Sequence, residues 1–245
     1  MEDAWMCSLV HYISLECEYP TALAKRFESG FTDDGGMSRE NRTRLAEKFE
    51  RSVPAKAALF NPVYDDRLQD VLAELSGYID LRSIAQHEPQ FIAESNLANQ
   101  KSPDLLVSSA RPMVMECKNI RNSTAQTEYF ANHQGQVRAV NTALLSPTRD
   151  CNPLLDKLLK TADDANSQFL DYPREAYDRI VYLNYVLDLE VLILRAANPN
   201  LLDGLLAEVA AVLEAKGTAL VVCDRYGVES PYRWVKGPSG RGPER

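Results

Sequence analysis

Apolar positions recur at helical spacing in some stretches of the chain and crowd into short runs in others. Asn61–Gly77 has Pro62 in its first turn, Asp65 and Asp66 at its positive end, and Leu68, Val71, Leu72 and Leu75 along one face. That pattern predicts a helix closed by Gly77. The spacing then shortens. Ile79–Ala85 reads as a first strand, and residues 86–102 as a second edge strand or a loop. Two further apolar strands, 104–108 and 113–117, are joined by a polar turn at Ser109–Arg111. Helical spacing returns over Thr124–Leu145, broken by Ser146-Pro147-Thr148, and over about Pro153–Leu170, where Leu154, Leu155, Leu158, Leu159, Ala162 and Ala165 form the stripe. Arg179–Leu187 is a β-rich run, and Glu190–Arg195 fits either a strand or a helical lead-in. Asn200 is positioned to cap a helix over Leu201–Lys216, Gly217 to end it, and Thr218–Cys223 to form a last strand.

This order of elements predicts an α/β sandwich over residues 61–224, with a central mixed β-sheet flanked by helices. Residues 1–60 form an N-terminal helical addition that packs on the core. Met6–Leu15 is a helix or strand, Pro20–Phe31 a helical piece and 32–36 a loop; Ser38 caps a helix through Phe49 that ends before Pro54. Residues 225–245, rich in Gly and Pro around Trp234, are expected to leave the domain as an extended or disordered tail.

Composition narrows the class. At 245 residues with 45% apolar and 25% charged side chains, the chain can bury a sizeable core. It contains no run of eighteen apolar residues, so no transmembrane helix is expected, and its first residues lack the pattern of a secretory signal. Five cysteines, at 7, 17, 117, 151 and 223, are odd in number and widely spaced. They argue for a cytoplasmic, reducing location and against a zinc site or disulfide framework. The histidines at 11, 87 and 133 show no ligand spacing.

The chemistry concentrates in Pro103–Lys118. With the turn centred on Ala110, Asp104 lies opposite Glu116, and side-chain alternation puts Asp104, Glu116 and Lys118 on one face. Two carboxylates and an ammonium then converge at the end of an otherwise apolar hairpin; an ion-pair cluster at a strand end is the structural alternative. Cys117 points to the other, apolar face, where it acts as a small hydrophobe rather than a nucleophile.

Pro103-Asp104 followed after eleven residues by Glu116-Cys117-Lys118 resembles the signature of the PD-(D/E)xK nuclease superfamily, which includes restriction endonucleases, Holliday-junction resolvases and RecB-type nuclease domains. The resemblance covers about 61–187. It implies a restriction-endonuclease-like fold, whose core is a helix, a three-strand meander, a helix and a further strand. It also implies a Mg²⁺- or Mn²⁺-dependent nuclease acting on nucleic acid, with DNA as the expected substrate. In that reading Asp104, Glu116 and the backbone carbonyl of Cys117 hold the metal, while Lys118 orients water or stabilises the transition state. A first-helix carboxylate approaches the metal, with Glu74 the candidate and Asp70 behind it. Gln168, on the helix before the next strand, is the candidate substrate contact. Both Glu74 and Gln168 also suit ordinary surface positions.

The net charge of −8 bears on the partner. A uniformly acidic surface repels phosphate, so binding needs local basic strips. Arg39, Arg42, Arg44, Lys48 and Arg51 offer one, and Arg233, Lys236, Arg241 and Arg245 another; a solvated helix face and a disordered tail are the plainer account of each. The competing expectation is a non-catalytic nuclease-like scaffold with a regulatory or interaction role, or an enzyme that depends on a partner protein or a homo-oligomer.

Overall fold

The computed structural model describes residues 37–52, 66–92, 102–120, 152–184, 194, 197–223 and 232–236. In chain order these form helices α1 (Arg39–Ser52) and α2 (Asp66–Ala85), then strands β1 (Gln90–Phe91), β2 (Leu105–Val107) and β3 (Met113–Asn119). Helix α3 (Pro153–Asn166) and a 3-10 turn, Ser167–Phe169, lead to β4 (Asp178–Asn184); α4 (Pro199–Ala215), β5 (Thr218–Cys223) and β6 (Tyr232–Val235) follow. The strands form one six-stranded mixed sheet in the order β1 to β6. β1–β2–β3 is an antiparallel meander, β3, β4 and β5 run parallel, and β6 returns antiparallel. Among the described residues, no helix is long and apolar enough to cross a membrane.

Side-chain alternation divides the sheet between two cores. Leu105, Val107, Met115, Cys117, Ile180, Tyr182, Val221 and Cys223 pack with Leu45 of α1 and with Val71, Leu75, Tyr78 and Leu81 of α2. Val114, Val181, Leu183, Leu220 and Val222 pack on the other face with the leucines of α3 and α4. Ile180–Asn184 of β4 is continuously buried, as a parallel strand covered on both faces must be. The result is a mixed α/β arrangement with helices on both sides of the sheet.

The expected strand at Ile79–Ala85 does not form, because α2 continues unbroken through it. Gly77 is not a helix end. It lets the helix approach β3, since a Cβ there would overlap Cys117 Sγ and stand 3.3 Å from Met115 Sδ. The helix stops at Gln86, which takes a positive φ of 54° and donates its N–H to Arg82 O at 2.9 Å. The Tyr182 hydroxyl donates to Asp80 Oδ2 at 2.5 Å, and this buried bond ties the middle of α2 to β4. The meander therefore begins at Gln90, inside the stretch that read as an edge strand or loop.

The hairpin register agrees with a turn centred on Ala110: Leu105 pairs with Met115, Leu106 with Val114 and Val107 with Met113. On the crossover side, Asn152 caps α3 by accepting from Leu154 N and Leu155 N at 3.0 and 3.2 Å, with Pro153 in the first turn. α4 is capped by Asn198 rather than Asn200, because Pro199 fits the first helical position; Gly217 ends it with φ 68°. At the C-terminus, Tyr232–Val235 pairs with β5 and so belongs to the sheet rather than to a departing tail; its aromatic and β-branched residues suit a strand. The helix expected over 124–145, the segments before residue 37 and most of 190–195 lie outside the described residues.

α1 covers the free edge of β1 with side chains instead of a strand. Asn41 accepts from Phe91 N at 3.0 Å and donates to Pro89 O at 2.7 Å, so its amide mimics a neighbouring backbone. Arg44 donates to Phe91 O. Asn41 also donates to Glu88 Oε1 at 2.9 Å, which further accepts from Ser38 N at 2.6 Å and Tyr78 OH at 3.1 Å. This network fixes α1 against both β1 and α2.

Candidate active site

The regular β2–β3 ladder ends at Leu105, and the residue just before β2 departs from it. Asp104 sends its N–H to Met115 O at 3.1 Å, while its Oδ2 accepts from Cys117 N at 2.8 Å. A carboxylate thus takes the place of a backbone carbonyl, which fixes Asp104 beside the second half of β3. Pro103 before it is buried, and its missing N–H leaves no donor stranded there.

Glu116 and Lys118 alternate along β3 with Met115 and Cys117, whose side chains enter the core under α2. Glu116 is only 3% exposed, and Lys118 Nζ lies 2.5 Å from its Oε1. The second oxygen, Oε2, is buried without a hydrogen-bond donor. Burial and then the adjacent Asp104 charge push the Glu116 carboxyl up to about 9, against the pull of Lys118. Asp104 is itself an acceptor, so it cannot satisfy Oε2 unless one of the pair holds a proton. For Lys118, burial draws the ammonium down, and Glu116, Asp104 and Asp70 together raise it by more.

Glu74 reaches the same cluster from the third turn of α2. Burial and then the Asp104 charge push it up to about 8, partly countered by Lys48. Lys48 Nζ stands 2.5 Å from Glu74 Oε2. Asp70, one turn earlier, accepts from Asn119 Nδ2 at 3.2 Å. Of the residues expected from the sequence, Lys118 pairs with Glu116 beside Asp104, while Glu74 feels Asp104 from α2 and has Lys48 as its direct partner. Asp104 is the shared neighbour of both glutamates.

Two expected contributors stand differently. Cys117 presents its backbone N–H to Asp104, and its thiol, raised well above the ordinary range by burial and by the carboxylates, is packed against Gly77. Gln168 lies in the 3-10 turn after α3. Its neighbours there are Asn166, which accepts from Thr218 at 2.7 Å, and Phe169, whose ring lies under the Arg179 guanidinium. That is where β4 and β5 begin, whereas Glu116 and Lys118 pair with Val181 and Leu183 further along. α3 has returned to the start of the parallel strands, and so carries Gln168 away from the carboxylates.

Lys48 was not among the expected site residues. It belongs to the basic strip of the N-terminal addition, in a region without recognisable chemistry. The available signal was helical spacing: Asn41, Leu45 and Lys48 lie on one face, and the apolar member marks that face as buried. The expected phosphate-facing strips are also partly committed within the protein. Arg44 pairs with Glu40 at 2.7 Å, Lys48 with Glu74, and Arg233 with Asp203 at 2.9 Å.

No family model, curated protein or solved structure matches the chain. The chemistry is carried by the cluster itself. Its donors are carboxylate oxygens, which suit a hard divalent cation, and the stranded Oε2 of Glu116 is an acceptor that such an ion would satisfy. Among the described residues, no three His, Cys, Asp or Glu side chains converge closely enough to cage an ion alone. Mg²⁺ does not require such a cage, because it keeps several waters and takes one or two carboxylates.

Proposed function

We propose that this chain is a Mg²⁺- or Mn²⁺-dependent nuclease of restriction-endonuclease-like fold that hydrolyses phosphodiester bonds in nucleic acid, with DNA as the expected substrate. One observation carries the reading: Glu116 is buried beside Asp104 with one oxygen on Lys118 and the other without a donor. In its ionised form, a carboxyl buried in that state is costly unless a cation completes it. The order α2, β1–β2–β3, α3, β4 also agrees with the core that the motif resemblance implies.

Asp104 and Glu116 would hold the ion. When bound, a divalent cation lowers the pKa of a coordinated water and withdraws charge from the phosphate oxygens. Asp104 is held for this role by Cys117 N–H, so its geometry comes from the strand and not from a mobile loop. A cation bound there would favour the ionised form of Glu116 and share its charge with Lys118. Lys118, one-third exposed and at the mouth of the cluster, then presents an ammonium to a phosphate oxygen or to the attacking water. α2 and β3 exclude water from below through Gly77, Met115 and Cys117, and this strengthens the charge interactions above.

Purified chain should cleave linear or circular DNA, or RNA, on addition of Mg²⁺ or Mn²⁺. Asp104→Ala and Lys118→Ala should each reduce the rate at least about a hundredfold while the melting curve stays cooperative. Undiminished cleavage in either variant would sink the assignment. The second reading, a non-catalytic nuclease-like scaffold, is favoured by the net charge of −8 and by the internal pairing of Arg44, Lys48 and Arg233. It is the outcome if wild-type chain cleaves none of these substrates with either metal.

A further inference from the structure

Each carboxylate of the hairpin has one oxygen already committed to a donor on β3. Asp104 brackets Glu116 along that strand: its N–H donates to Met115 O at 3.1 Å, and its Oδ2 accepts from Cys117 N at 2.8 Å, one residue to either side. Asp104 therefore stands across from Glu116 with Oδ1 as its remaining oxygen. Glu116 gives Oε1 to Lys118 Nζ at 2.5 Å, and its Oε2 is buried without a donor.

The sheet leaves Lys118 without a substitute in this contact. On the far side of β3, Glu116 and Lys118 pair with Val181 and Leu183 of β4, both fully buried. Those apolar side chains offer Oε1 nothing, so its partner is the ammonium two residues along the same face. At 3% exposure the Glu116 carboxyl is enclosed, and the pair is held by the strand's own spacing. An ammonium carries three N–H groups, so one on Oε1 leaves two for phosphate or water. Holding Glu116 does not compete with the catalytic role given to Lys118 above.

Denticity separates the hard cations. Ca²⁺ takes about six to eight oxygens and readily accepts both oxygens of one carboxylate, whereas Mg²⁺ is octahedral, keeps several waters and needs only one or two carboxylates. Resting on the nuclease reading above, we propose that Lys118 sets the metal selectivity of the site: by holding Glu116 Oε1 it confines that carboxylate to a single oxygen, which suits a small, largely hydrated divalent ion and disfavours Ca²⁺. The Cys117 N–H confines Asp104 in the same way. In this respect Lys118 is a positioning residue, since it acts on the ion through Glu116.

Mn²⁺ binding to the full chain, followed by electron paramagnetic resonance and water-proton relaxation with Mg²⁺ and Ca²⁺ as competitors, tests this without reference to cleavage. In the wild-type chain bound Mn²⁺ should keep about four waters, as an octahedral ion with two single-oxygen ligands does. Lys118→Met releases Oε1, so the bound ion should lose one water and Ca²⁺ should gain about tenfold over Mg²⁺ as competitor. Loss of the ammonium charge strengthens every divalent ion alike, so the ratio and the water count report coordination and not charge. Glu116→Gln in that background offers a single carbonyl oxygen and should return both readouts to the wild-type values. If either readout in folded Lys118→Met stays at its wild-type value, the selectivity role is overturned and the nuclease reading stands. If Lys118→Met does not fold, the wild-type water count decides: about four sustains the proposal, and three or fewer overturns it. Absence of bound Mn²⁺ in the wild-type chain removes the metal-nuclease reading itself, and the inference with it.

Discussion

Replacing Gly77 with alanine measures how closely α2 is seated on β3, and hence how firmly Glu74 is held over Asp104. The new Cβ would fall well inside van der Waals distance of Cys117 Sγ, with Met115 Sδ at 3.3 Å and Leu105 Cδ1 at 3.6 Å. The thioether can turn aside at small cost. The thiol sits on a buried strand residue with a single rotatable bond, so either it changes rotamer within a packed core or the helix lifts. Overpacking of this kind costs about 1–3 kcal/mol. Alanine returns about 1 kcal/mol over glycine inside a helix. Gly77→Ala should therefore lose up to about 2 kcal/mol net. Cys117→Ala removes the atom responsible, and in that background Gly77→Ala should be neutral or stabilising by up to about 1 kcal/mol. Urea denaturation of the four chains gives the coupling directly, and a favourable interaction of about 2 kcal/mol is expected for groups in contact. An equal loss in both backgrounds would show that Cys117 is not what the glycine accommodates.

Glu116 predicts a pH dependence in metal-free protein. Its folded value of about 9 lies above the ordinary 4.5, so its contribution to stability is complete below 4.5 and is lost as pH rises through 9. At pH 7 that loss is about 3 kcal/mol, at roughly 1.4 kcal/mol for each pH unit above 4.5. Glu116→Gln carries no such charge, so it should flatten the decline and raise the melting temperature at pH 7–8, less about 1 kcal/mol for the partner Lys118 loses. A lower melting temperature there would refute the burial argument. Asn41→Ala strands Phe91 N–H and Pro89 C=O at the β1 edge, and a loss of about 2–4 kcal/mol is expected from two buried groups left unpaired. Hydrogen exchange should show the Phe91 amide losing protection first, and unchanged exchange would mean that another group covers that edge.

The hairpin and its carboxylates were legible in the sequence because strand register depends on local features. Short apolar runs and a polar turn at Ser109–Arg111 set which residues face each other, and the observed pairing of Leu105 with Met115 places Asp104 and Glu116 together. The strand expected at Ile79–Ala85 failed for the opposite reason. Gly77 looked like a helix terminator, and only the Cys117 and Met115 side chains, distant in sequence, show that it serves a close approach. Lys48 was hidden in the same way, since nothing local to α1 indicates that a carboxylate from α2 awaits it. Gln168 followed from an assumption about where α3 ends relative to β3, which depends on the direction of the crossover and not on the helix's own pattern. β6 was missed because Gly and Pro on either side of Tyr232–Val235 suggested a tail, while the strand itself draws its stability from β5.

The spatial order of the six strands repeats their order along the chain. Every strand can therefore be laid onto an edge already made, without waiting for a later segment to be inserted between two earlier ones. On a ribosome this lets the sheet grow from β1 towards β6 at the pace of synthesis, with the meander forming first from local contacts. The cost falls at the growing side. Until β4 arrives, β3 presents an open edge through a crossover of more than fifty residues, from Asn119 to Asp178, and Glu116 and Lys118 stand on that same strand. The acidic and basic groups that would serve catalysis in the finished protein also put charge on the one strand that waits longest for its neighbour, where it works against pairing with another chain.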